Sequence, residues 1–208
     1  IIQVIRCFED EDIHHVAGSI DPIRDIETIM TELVLADMES VQKSLDRRAK
    51  DAKKGDKTAK AEHAVLSKVL PHLNDGKPAL TLELNPEEAA ILKPFFLLTA
   101  KPTIFAANVK ESELVDAANN PHVAKVKDYA QEHHACETVI ISAQIESDLV
   151  DLAPDEASDF LSEMGVSESG VGSMIRSTYH LLGLRTYFTA GEVEVRAWTI
   201  HEGDRAPQ

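Results

Sequence analysis

The chain has 208 residues, 43% of them hydrophobic and 27% charged, with a formal net charge of −15. No apolar stretch approaches the ~20 residues that span a bilayer, no signal peptide or lipidation motif stands out, and Cys7 and Cys136 are too few for a disulfide scaffold. These features predict a cytoplasmic protein with no membrane partner, and the acidity argues against DNA as a partner while leaving room for one local basic patch.

The run Ile1-Ile2-Gln3-Val4-Ile5-Arg6-Cys7-Phe8 reads as a buried strand, and a buried strand needs neighbours on both sides. The last residues, Gly203 to Gln208, follow a strand-like segment with no closing element. Both ends predict a piece of a longer protein. After the acidic Glu9-Asp10-Glu11-Asp12 and the pair His14-His15, Asp21-Pro22 sets a helix start, with Asp at N-cap and Pro at the first helical position. Ile26, Met30, Leu33, Val41 and Leu45 fit one helical face as far as Ala52. Gly55-Asp56 breaks this helix. Ala61, Val65, Leu66, Val69, Leu70 and Leu73 mark a second one, stopped by Asn74-Asp75-Gly76. Two amphipathic helices around a short turn make an antiparallel hairpin. Asn85-Pro86-Glu87-Glu88 starts a third helix.

The pattern changes at Lys101-Pro102. Thr103 to Ala107 is a short apolar strand ending at Asn108; a helix with Val123, Val126 and Ala130 on its buried face follows; Thr138 to Ile141 is a second apolar strand ending at Ser142-Ala143. Uniformly apolar strands are those of a parallel sheet covered on both faces, so the fold class is α/β built on a βαβ unit. Both strands of such a unit point the same way. Asn108 and Ser142 are therefore expected at one sheet edge, the carboxyl edge where open α/β sheets bind ligands. Pro154 to Met164 and Ser173 to Leu182 read as helices, with Gly165 to Ser173 a loop between them. Thr186 to Thr189, a turn at Gly191 and Val193 to Ile200 read as a β-hairpin that begins a small β-containing domain.

Candidate chemistry is sparse. From Lys43 to Lys68 nine Lys or Arg face four acids, so this segment nets +5 and the rest of the chain −20. Either it is a solvated hairpin tip, or Arg47, Arg48, Lys50, Lys53, Lys54 and Lys57 contact RNA phosphates. The pairs His14-His15 and His133-His134 point apart and hold no metal by themselves, and no Cys-x-x-Cys or His-Glu-x-x-His occurs. Neither cysteine has a base beside it. Gly165 to Ser173 lacks the Lys of a Walker A loop. The most informative motif is Asn108-Val109-Lys110-Glu111 after one strand, paired with Ser142-Ala143-Gln144 after the next. GTPase-like domains carry an Asn-Lys-x-Asp loop and a Ser-Ala loop at these places. Glu111 stands where the guanine-reading Asp would be, and Val109 where the Lys would be, which argues against guanine specificity.

With these motifs the sequence resembles the YchF-type Obg-like ATPases, a branch of the translation-factor-related P-loop NTPases. The passages that carry the resemblance run along the whole chain: Val4 to Asp10, Gly18 to Glu27, Thr31-Glu32-Leu33, Leu35-Ala36-Asp37, Asn108 to Glu111, Ser142 to Glu146, Leu182 to Gly191 and Arg196 to Ile200. The resemblance implies a partial P-loop NTPase domain over residues 1–38 and 79–182, a helical coiled-coil insertion over 39–78, and the start of a TGS domain over 183–208. It implies an ATPase that prefers ATP to GTP, hydrolyses it slowly, binds ribosomes or ribosomal RNA, and regulates translation or stress responses. Asn108, Val109 and Glu111 would form the base-reading loop, and Ser142, Ala143 and Gln144 the second one. The P-loop and the ligands of Mg2+ are expected upstream of Ile1 and most of the TGS domain beyond Gln208, so no residue here is assigned as catalytic and the chain alone is expected not to hydrolyse ATP.

Overall fold

A computed structural model describes residues 1–10, 19–133 and 136–205. His14, His15 and His134 lie outside the described residues. The chain divides into two units, one of residues 23–102 with Ile1 and the other of residues 2–22 with 103–208.

The first unit is helical. Helix α1 spans Pro22–Lys53 and α2 Lys57–Asn74, close to the bounds that Asp21-Pro22 and Asn74-Asp75-Gly76 predict. Gly55 makes the turn at φ +94°, a region open to glycine without steric cost. Asp56 then caps α2 by accepting from Ala59 N at 3.0 Å. Val34, Val41 and Leu45 of α1 pack with Val65, Leu66, Val69 and Leu73 of α2, and Ala79, Leu92 and Leu97 complete this core. Helix α3, Pro86–Leu92, opens on the reciprocal Asn85–Glu88 capping box that the sequence predicts. One residue on the buried stripe of α1 is charged. Asp37 is buried and accepts from Leu98 N (2.8 Å), Thr99 N (2.7 Å) and Thr99 Oγ1 (2.6 Å). Apolar spacing passes over it, but three short bonds fasten α1 to the turn before Lys101.

The second unit holds a parallel sheet in the order β1-β2-β3, with β1 at Ile2–Arg6, β2 at Thr103–Asn108 and β3 at Cys136–Ile141. Helix α4, Pro121–Glu132, buries Val123, Val126 and Ala130 as its sequence predicts, and its Tyr129 meets Phe105 of β2 edge to face at 5.8 Å. Ile104, Ala106, Val139 and Ile141 face the other way, against Met174 and Leu181 of helix α7, Gly170–Leu181. Both faces of β2 and β3 are thus covered, which is why they read as unbroken apolar runs. The opening strand differs from its expectation. Gln3 and Ile5 are buried, while Ile2 is 48% and Val4 61% exposed. Among the described residues β1 pairs with β2 alone and α7 packs on β2 and β3, leaving the face of β1 that carries Ile2 and Val4 open.

Two further differences concern helices. Residues after Ser142 are not a loop but helix α5, Ala143–Leu149, followed by α6, Pro154–Glu163. Helix α7 starts at Gly170, three residues before the expected Ser173, because Ser169 Oγ accepts from Gly172 N at 3.0 Å and Glu146 Oε1 from Gly170 N at 2.6 Å. A Cβ at Gly170 would stand 2.7 Å from Ile141 Cγ2, so glycine lets α7 lie flush on the end of β3. Strands β4, Leu184–Ala190, and β5, Val195–His201, pair antiparallel around the turn closed by Gly191 N to Glu194 O at 2.9 Å. Among the described residues, no helix is long and apolar enough to cross a membrane.

Candidate nucleotide-base site

Parallel pairing brings three strand ends to one edge. Arg6 lies beside Asn108 and Asn108 beside Ile141 in the register. Backbone bonds continue the stitching past the strands: Cys7 N donates to Asn108 O at 2.8 Å, and Val109 N to Ile141 O at 2.9 Å. The Asn108 side chain adds a third link, its Oδ1 accepting from Ala143 N at 2.8 Å. The two motifs that the sequence places 34 residues apart, at Asn108 and Ser142, are therefore joined directly.

A cleft of about 700 Å³ opens over this edge, within the 300–1,000 Å³ range of small-molecule sites. Asn108, Val109, Glu111, Ala143 and Gln144 line it, as does a set that sequence reasoning did not single out as site residues: Phe8, Asp10, Lys110, Ser112 and Met164. Phe8 follows β1 and is held by Arg6, whose guanidinium lies 4.9 Å from the ring centroid and donates to Phe8 O at 3.1 Å. Lys110 Nζ lies 3.3 Å from Asp10 Oδ2, an ion pair on the cleft wall. An apolar residue just past a parallel strand was a readable sign for Phe8, two residues beyond β1; nothing local marks Met164, which comes from the end of α6.

Not every predicted residue offers its side chain to the cleft. Val109 and Ser142 are buried at 1% exposure each. Val109 therefore has its backbone to offer, and with its N–H spent on Ile141, its carbonyl has no partner among the described residues. Ser142 Oγ is buried with no hydrogen-bond partner. Gln144 Nε2 donates to Asp148 at 3.1 Å, and Glu111 is exposed in a short 3-10 turn. Asn120 supports the site from behind: it caps α4 through Oδ1 and donates from Nδ2 to Cys7 O at 3.0 Å. Cys7 itself is buried, and burial pushes its thiol up to about 12, so it is a neutral core group at ordinary pH. Among the described residues, no group of three or more His, Cys, Asp or Glu is placed to hold a metal ion.

The basic segment falls on the end of α1 and the start of α2. Arg48 is half-buried and pairs with Glu62 at 2.6 Å, Lys54 lies 3.4 Å from Asp51, and Lys68 pairs with Glu88. Arg47, Lys50, Lys53 and Lys57 are exposed and have no ion-pair partner among the described residues.

No family model matches the chain. Individual proteins do. It is 47% identical over 208 residues to the ribosome-binding ATPase YchF of Bacillus subtilis, covering all of this chain and 57% of that protein. It is 44% identical over 205 residues to the YchF of Escherichia coli O157:H7, covering 99% of this chain and 55% of that protein. The solved structure of the Schizosaccharomyces pombe YchF GTPase superposes with a TM-score of 0.80 at 32% identity, over 99% of this chain and 56% of that one. The chain is homologous to the YchF family along its whole length. The resemblance carried by the sequence passages is borne out, and with it the α/β fold of a nucleotide-hydrolase family. The chain spans a little over half the length of the YchF relatives it matches. The bacterial YchF proteins are ribosome-binding ATPases and the yeast YchF a GTPase, so the family name alone leaves the preferred base open.

Proposed function

We propose that the cleft at the carboxyl edge of β2 and β3 is a purine-base pocket that prefers adenine, serving a cytoplasmic, ribosome-associated ATPase. The observation that carries this reading is the bond between Asn108 Oδ1 and Ala143 N. It spends the acceptor of the Asn108 amide and leaves the two Nδ2 hydrogens for a ligand. The neighbouring Val109 offers the converse, a carbonyl without its own donor. One donor beside one acceptor suits adenine, whose N7 accepts and whose N6 amino group donates; guanine presents N7 and O6, both acceptors. Phe8 supplies an apolar ring on the same cleft, and Ala143 and Gln144, in the first turn of α5, part of its wall. Glu111 lies in the same cleft lining, with a carboxylate that accepts only. These residues fit a base. ATP, bound with Mg2+, supplies the phosphoryl group, and no residue described here is assigned to its transfer. Titration of the 15N-labelled chain with adenosine should shift the Asn108 side-chain amide and the Ala143 backbone signal, and guanosine should shift them far less. Equal shifts with both nucleosides, or none with either, would overturn the assignment.

A second reading concerns docking. The exposed, unpaired Arg47, Lys50, Lys53 and Lys57 support the view that the helical hairpin contacts ribosomal RNA, while Arg48 and Lys54 are already engaged with acids of the hairpin itself. Replacing the four unpaired residues with Gln should weaken binding to ribosomal RNA and flatten its salt dependence, with log K losing about 0.7–0.9 of slope per lost phosphate contact. Binding that ignores salt would remove this reading.

A further inference from the structure

In the unit built on α1 and α2, an apolar cleft of about 500 Å³ is lined by Leu80, Leu82, Leu84, Leu92, Phe96 and Leu97. None of it belongs to the base site. Its outstanding residue is Phe96. Among the described residues it is the one non-glycine with positive φ, at φ 52° and ψ 35°, a conformation that is a true outlier for a bulky side chain. Strain of this kind collects at ligand clamps and switch regions. The ring is also 77% exposed, standing at the cleft rather than filling it. The turn that holds it is over-determined: Phe96 N donates to Lys93 O at 3.2 Å, Lys101 Nζ donates to Phe96 O and Leu97 O at 3.0 Å each, and Asp37 binds the next two residues.

The cleft has two further properties. Leu82, whose backbone is extended, and Leu84 line it two residues apart, and neither Glu83 nor Leu84 donates its backbone N–H to another group among the described residues. Backbone N–H groups left without acceptors beside an apolar groove can bond the carbonyls of an added extended chain. Lys93 and Lys101 stand on the cleft, and neither has a carboxylate partner among the described residues, on a chain that is otherwise acidic.

We propose that this cleft is a docking groove for an extended, acidic segment of a partner protein that carries apolar residues at alternate positions. Such a segment adds as a strand along Glu83 and Leu84, seats its apolar side chains between the leucines and Phe96, and sets its carboxylates against Lys93 and Lys101. Alternation follows from strand geometry, which sends every second side chain to one face. The lysines choose acid over base.

Selection of random peptides displayed on phage, using the 208-residue chain as bait, tests this, followed by fluorescence anisotropy of a synthetic copy of the enriched peptide. The expected motif alternates Leu, Ile or Phe with Asp or Glu. Phe96→Gly should weaken that peptide by about tenfold or more, a change of one decade in Kd, while the melting temperature holds or rises because glycine accepts the positive φ. Lys93→Glu should weaken it as well. The proposal falls if no peptide is enriched, if the enriched peptides are basic or lack alternation, or if Phe96→Gly binds them unchanged. It also falls if sedimentation shows a dimer that Phe96→Gly dissolves, since the groove would then belong to a second copy of this chain.

Discussion

Asn108 and Ala143 meet through one hydrogen bond, Oδ1 to N at 2.8 Å, that ties the ends of two parallel strands together and fixes which way the Asn108 amide points. The oxygen is structural and the nitrogen is left for a ligand. Asn108→Asp separates the two roles, because either carboxylate oxygen can still accept from Ala143 N while no donor remains. Its unfolding free energy should stay within about 1 kcal/mol of wild type, the size of one ordinary hydrogen bond, and adenosine binding should be lost. Asn108→Ala should lose both. Chemical denaturation and nucleoside titration on the two variants check this, and adenosine binding retained by Asn108→Asp would show that Nδ2 is not the donor.

Asp37 holds α1 to the turn before Lys101 through three hydrogen bonds. Its deletion leaves the N–H groups of Leu98, part-buried, and Thr99, buried, without an acceptor, and takes the acceptor from the Thr99 hydroxyl proton. Asp37→Ala should destabilise the fold by roughly 3–5 kcal/mol, as for other buried charges or groups left without partners. Thr99→Val removes one of the three bonds to Asp37 and the bond from Ala79 N to Thr99 Oγ1, and should cost less. Urea unfolding of both variants ranks them, and an Asp37→Ala protein as stable as wild type would refute the role given to this contact.

Gly170 and Gly172 lie two residues apart at the start of α7, and a Cβ on each would meet a different neighbour. A Cβ on Gly170 meets Ile141 at 2.7 Å from its Cγ2 and 3.0 Å from its Cα, which is backbone and cannot swing away. A Cβ on Gly172 meets first the Glu168 carboxylate at 2.9 Å, the end of a flexible side chain. Gly170→Ala should therefore cost about 1–3 kcal/mol of overpacking, against a helix-propensity gain of about 1 kcal/mol. Gly172→Ala should be neutral or slightly stabilising. Thermal melts of the pair decide it by the sign of their difference.

Cys7 couples stability to alkaline pH. Burial raises its thiol from an ordinary 9.0 to about 12, so the folded state keeps the proton that the unfolded chain releases. The contribution is complete below pH 9.0 and is lost as pH climbs toward 12. Compared with Cys7→Ala, wild type should lose its stability advantage across that window, and the peptide bearing Cys7 should resist iodoacetamide at pH 8 until denaturant is added. Rapid alkylation of the native Cys7 would contradict a buried, neutral thiol.

The parts of the molecule legible in the sequence are those set by local chemistry. Asp21-Pro22, Gly55-Asp56 and Asn85-Pro86-Glu87-Glu88 mark helix ends because caps and turns act within a few residues. The apolar runs at Thr103–Ala107 and Thr138–Ile141 disclose a parallel sheet because burial on both faces demands uniform apolarity, and that alone brings Asn108 and Ser142 to one edge. The tertiary structure decided everything that depends on partners distant along the chain. Val4 is exposed because α7 covers two strands and not the third; α7 begins at Gly170 because Glu146, 24 residues earlier, accepts its first N–H; Asp37 is tolerated in a core because Leu98 and Thr99 supply its donors from 61 and 62 residues away. Periodicity records which side chains avoid water. It carries no record of which far-off group meets them there, and Met164 in the lining of the same cleft as Asn108 is a product of that second kind of information.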